Sequence, residues 1–136
     1  MYQPVMFDHD PPKQQIFDAV IAHLAKQKRQ CTALVNGKTS CRYRAAKGRM
    51  CAIGALIPNE LYRPEYEYRD ILFLVDNYGH LPEWFQEHKL LLSDLQNAHD
   101  SAGDANDLRQ ELKVVAHNWW LDDASVECIT EFDCTH

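Results

Sequence analysis

Apolar residues recur at helical spacing in three stretches of this chain, and these set its architecture. Ile16, Phe17, Val20, Ile21, Leu24 and Ala25 follow Pro11-Pro12 and trace one face of a helix over about residues 12–28, with Asp10 expected as its cap. Leu91, Leu92, Leu95, Ala98 and His99 trace a second over 89–101, preceded by a short helix starting near Pro82. After Gly103-Asp104, the residues Leu108, Leu112, Val115, Ala116 and Trp119 trace a third over 105–121. The packed core is expected around Phe17, Ile21, Leu24, Leu56, Leu95, Leu112 and Trp119.

Between the first two helices the pattern changes. Asn36-Gly37 separates Thr32-Ala33-Leu34-Val35 from the run Lys38 to Arg44, and Asn-Gly suits the two positive-φ positions of a tight hairpin turn. Residues 51–57 read as one or two turns of buried helix stopped by Pro58, and 60–68 as an irregular tyrosine- and glutamate-rich segment. The run Ile71 to Val75 fits strand and helix alike. The predicted fold is therefore mainly α: a compact single domain over 1–136 with a small β-hairpin near 32–44. An extended arm at 1–10 precedes it, and a tail at 122–136 docks Val126, Ile129 and Phe132 as a short helix.

Composition agrees with a globular chain, with 46% hydrophobic residues and only 5 Gly and 6 Pro among 136. The longest apolar run, residues 71–75, falls far short of the roughly 20 residues that span a bilayer, and the N-terminus lacks the basic start of a secretory signal. A cytosolic protein is expected. Its five cysteines, Cys31, Cys41, Cys51, Cys128 and Cys134, are then expected as free thiols; no CxxC pair occurs, and Cys128-x5-Cys134-x-His136 matches no common zinc spacing.

Charge is distributed unevenly. Lys26, Lys28, Arg29, Lys38, Arg42, Arg44, Lys47 and Arg49 occur with no acid between them, leaving −14 on the rest of a chain whose total is −6. Arg42, Arg44, Lys47 and Arg49 are the expected binding residues. If Tyr43 enters the core, alternation sends both neighbouring arginines outward, ready for carboxylate or phosphate. An internal pair with Glu67 fits equally well. Nucleic acid is disfavoured by the acidic remainder; a protein partner with an acidic patch, or a small anionic ligand, fits better, and no cofactor is called for.

Two chemical alternatives stand beside binding. Cys51 opens the predicted buried helix next to Arg49 and could act as a nucleophile with His99 as base and Asp100 behind it, giving a thiol-dependent hydrolase. Cys41, Cys51 and His99, with Glu67, could instead hold zinc. Against both, cysteine and histidine among aliphatic neighbours commonly serve as core residues.

The run Cys41-x-Tyr43-Arg44-x3-Gly48-x2-Cys51-Ala52-x-Gly54-x-Leu56-Ile57-Pro58, then Tyr62, Glu67 and Leu95-Gln96-x2-His99-Asp100, resembles a group of short uncharacterised proteins of bacteriophages and bacterial genomes. The resemblance covers about residues 14–118 and implies phage or prophage origin and a shared fold, with no activity to carry over. The arm and the tail, with Cys128 and Cys134, lie outside it. The matching glycines and proline read as a turn, a close contact and a stop. Tyr43, Tyr62, Glu67 and His99 read either as a buried polar network or as the lining of a site.

Overall fold

The computed structural model describes residues 3–134 except Asp8. Met1, Tyr2, Asp8, Thr135 and His136, which belong to the expected arm and tail, lie outside the described residues. Helix α1 spans Lys13–Gln27, strands β1 and β2 span Thr32–Val35 and Lys38–Cys41, and helices α2, α3 and α4 span Ile71–Asn77, Trp84–Ser101 and Ala105–Trp119. The fold is mainly α with one small hairpin, as the periodicity predicts. No helix among the described residues is long and apolar enough to cross a membrane.

The hairpin closes on Asn36 and Gly37, both at positive φ (51° and 78°), with Val35 paired to Lys38 and Thr32 to Cys41. Helix α1 begins after Pro12, whose fixed φ of −69° and extended ψ set the entry. Asp10 does not cap it: Pro12 occupies the cap position, two residues closer to the helix. The apolar run at 71–75 is helical because Asp70 accepts the Phe73 amide at 2.8 Å and so satisfies the first turn. The short helix near Pro82 and the helix at 89–101 join without a loop in α3, which bends at His88 (φ −107°, ψ 15°). Residues 51–57 form only a single 3-10 turn, Gly54–Leu56, though fully buried as expected.

The core joins Phe17, Ile21 and Leu24 of α1 to Leu56, to Leu91, Leu92 and Leu95 of α3, and to Leu108 and Leu112 of α4. Trp119 is not among the fully buried residues. Its Nε1 donates to Asp94 at 2.9 Å and its ring lies 5.8 Å from Lys13 Nζ, because an indole needs a polar partner that the aliphatic centre lacks. In the tail, Val126, Ile129 and Phe132 are buried, and the short docked helix there is a 3-10 helix at Ala124–Cys128. Backbone bonds between Gln30 and Asp133 and between Asp133 and Lys28 then tie the tail to the segment after α1. At the other end, the Val5 amide donates to Ala55 O, and Phe7 packs edge-on against Trp84.

Polar side chains of α1 fix the loop that carries the basic segment. Gln27 accepts from the Met50 amide and donates to the Met50 carbonyl, both at 2.9 Å, while His23 Nε2 meets the same carbonyl at 2.8 Å. Burial holds the His23 imidazole below its ordinary 6.5; burial, then the Lys13 ammonium, does the same at His88. As pH falls below that ordinary value the unfolded chain takes up protons that the folded chain refuses, so stability present at neutral pH is lost on acidification. The urea midpoint should fall between about pH 7 and 5, above the carboxylate range, and a midpoint flat across that window would contradict this assignment.

Candidate functional site

Tyr43 and Arg44 leave the hairpin inward. The chain turns after β2 so that Arg44 bridges Met50 and the Cys51 amide donates to Tyr43 O at 3.1 Å. Glu67 closes this turn from the opposite side. One carboxylate oxygen accepts from the Tyr43 amide (2.9 Å), and the other accepts from the Arg44 amide (3.2 Å) and the Tyr62 hydroxyl (2.6 Å). Arg42 Nε lies 3.6 Å from the first oxygen. The Arg44 guanidinium donates to the carbonyls of Gly54 and Ile57 and to Asn59 Oδ1, and lies over the Tyr62 ring. Tyr43 does enter the core, at 5% exposure, but the arginines beside it serve the chain itself. Alternation along an extended strand cannot foresee this, because the strand ends at Cys41.

His99 organises a second network. The Cys31 amide donates to His99 Nε2 at 3.0 Å, which places the ring proton on Nδ1, and Nδ1 donates to Asp100 Oδ1 at 2.7 Å. Gln96 Nε2 donates to the same oxygen at 2.6 Å, and Gln96 Oε1 accepts the Ile53 amide at 3.2 Å. Gln30 completes the network by donating to the His99 and Asp100 carbonyls at the end of α3. Both networks open on one cleft of about 230 Å³, whose walls include Cys41, Arg42, Glu67, Tyr68, Gln96 and Asp100. Cys41, Tyr43, Glu67, Gln96 and Asp100, far apart in the sequence, meet here.

Cys41, His99 and Asp100 each bring one potential ligand atom within 4.8 Å of the others; Cys51 does not join them. The hydrogen bonds do not suit a metal. A ligating histidine keeps its proton on the nitrogen facing away from the ion and donates it to a neighbour. Here that outer nitrogen, Nε2, is an acceptor, so the proton sits on Nδ1, where the ion would need a lone pair. The arrangement is a hydrogen-bonded relay.

The thiols of Cys31, Cys41 and Cys51 are likewise held toward their neutral form. Burial pushes Cys51 well up, and Cys31 up to about 12; burial followed by the Asp100 carboxylate pushes Cys41 up to about 12. Cys51 is fully buried, with the Gly54 amide donating to its sulfur, and both ring nitrogens of His99 are occupied as described above. All five cysteines are free, and Cys128 alone is exposed. A water-soluble thiol reagent should therefore label Cys128 first and reach Cys31 and Cys51 only when denaturant unfolds the chain, giving five labels in total. Early labelling of Cys51 in the folded protein would show that the core around it opens.

The other two cations expected to bind, Lys47 and Arg49, are placed differently from the arginines. They line a shallow groove of about 290 Å³ with Thr32, Ala33, Leu34 and Ala46. Sequence reasoning assigned no role to Gln96 or Tyr68, or to the Cys31 amide. Gln96 carried a usable signal, since Ser93, Gln96, Asn97 and Asp100 repeat at helical spacing as a polar stripe on α3. The Cys31 amide carried none, because every residue has one. Comparison with protein-family models, curated protein sequences and solved structures found no match to this chain.

Proposed function

We propose that this chain is a binding module, a cytosolic accessory protein of phage type that engages an acidic surface on a host protein or complex. The face formed by the hairpin and the loop after it supports this reading. Leu34 is 62% exposed there and shares its groove with Lys47 and Arg49, with Lys38 across the hairpin turn. Among the described residues, none of these three cations takes part in an ion pair. An apolar anchor flanked by unneutralised cations matches an acidic protein surface, where charge guides the encounter and apolar contact holds it. The strongly acidic remainder of the chain disfavours a long polyanion such as nucleic acid. A hydrolase centred on Cys51 and His99 draws less support, since the thiol is sealed and the imidazole already bonded on both sides.

Capture from host lysate on the immobilised chain tests the proposal when run beside the triple variant Lys38→Glu, Lys47→Glu, Arg49→Glu. These surface changes should alter folding stability by only about 0 to 1 kcal/mol each. The specific partner should be lost from the variant and should weaken with added salt. Equal capture of the same partner by both proteins would end the proposal.

A further inference from the structure

Asp100 is oriented from behind by two buried side chains. His99, fully buried and fixed in one tautomer by the Cys31 amide, and Gln96, fixed by the Ile53 amide, both donate to Oδ1. The second carboxylate oxygen takes no nitrogen or oxygen donor among the described residues, the Cys41 thiol lies beside the carboxylate, and the Asp100 side chain is 36% exposed on the wall of the cleft. An acceptor held in place by neutral donors is ready before a ligand arrives, which removes part of the ordering cost of binding.

The surroundings specify what it would accept. Ser93 and Asn97 line the same wall two turns and one turn before Asp100, adding neutral oxygens. Tyr68 stands at the cleft with φ at +70° and 67% of its surface exposed, while Ile71 adds an apolar contact. Of the nearby cations, Arg69 lies over the Phe73 ring at 4.4 Å, and Arg42 lies 3.6 Å from Glu67 and 5.9 Å from the centre of the Tyr68 ring, its buried Nε donating no hydrogen bond among the described residues. Asp70 adds a further carboxylate to the lining.

We infer that the cleft binds a protonated primary amine, its ammonium group among Asp100, Asn97 and Ser93 and its alkyl chain against Tyr68. An ammonium carries three donors and suits several separate acceptors, and the exposed Tyr68 side chain offers apolar surface to the alkyl chain. A guanidinium suits the site less, because its paired donors call for both oxygens of one carboxylate and Oδ1 already accepts twice. This site is separate from the cationic face of the hairpin and does not depend on the function proposed for that face.

Titration of the full chain with 1,4-diaminobutane and with Nα-acetyl-lysine amide, followed by amide NMR, tests the assignment, with 1,4-butanediol as the neutral control. Both amines should saturate shifts at Tyr68, Asn97 and Asp100 in the millimolar range, and the diol should not. Asp100→Asn and Asn97→Ala should each weaken amine binding about tenfold. If Asp100→Asn fails to fold, Asn97→Ala decides alone, since the exposed Asn97 side chain bonds to nothing among the described residues. No saturable shift with either amine, or unchanged affinity in a folded variant, would overturn the assignment.

Discussion

Replacing Glu67 with alanine should cost the folded chain about 3 to 5 kcal/mol, the range found when one partner of a buried charged pair is removed. Its side chain is 2% exposed, and it is the shared acceptor for two backbone amides and the Tyr62 hydroxyl, with the Arg42 guanidinium paired by charge at 3.6 Å. Alanine would strand these donors at once at the inner wall of the cleft. Against a typical total stability of about 5 to 15 kcal/mol this is a large fraction, enough to unfold a chain that lies at the lower end of that range. Tyr62→Phe removes a single donor and should cost only about 1 kcal/mol, so the contrast between the two variants reports the hub rather than any one bond. Urea denaturation of both would settle the matter. A loss below about 1 kcal/mol for Glu67→Ala would show that water or another side chain replaces the carboxylate.

Gly54→Ala should be at least as damaging, through space instead of charge. A Cβ at this position would lie 2.8 Å from the Tyr43 carbonyl carbon and would overlap the carbonyl oxygen. That carbonyl cannot easily retreat. It accepts the Cys51 amide, and the next residue, Arg44, is held by Glu67 and by the Gly54 and Ile57 carbonyls. Overpacking commonly costs about 1 to 3 kcal/mol when side chains can adjust, and here the obstacle is backbone, so the loss should reach or pass that upper figure. Gly79→Ala is the matched control, because a Cβ there meets nothing within 4 Å. It should be neutral, or stabilising by up to about 1 kcal/mol through the unfolded state. Near-equal melting temperatures for the two variants would mean that the contact at Gly54 relaxes freely.

The same contacts mark how far the sequence could be read. Helices α1, α3 and α4 and the Asn36–Gly37 turn were determined by local order: apolar residues three and four apart, and two neighbours that tolerate positive φ. Such signals survive without tertiary context because the atoms responsible lie within a few residues of each other. The segment 71–75 was undecidable on the same terms, and Asp70 capping the Phe73 amide, with Ile71 and Leu74 turned into the core, made it a helix.

The site required the tertiary structure. Counting charge identified the basic segment, but it could not tell that Arg42 and Arg44 would meet Glu67 and backbone carbonyls while Lys47 and Arg49 stayed beside the exposed Leu34. Sequence patterns record the sign of a side chain; its partner depends on which distant backbone folds against it. For the same reason, pairing Cys51 with His99 by residue type overlooked the Cys31 amide, which takes up one ring nitrogen from 68 positions away and so fixes His99 as the support for Asp100.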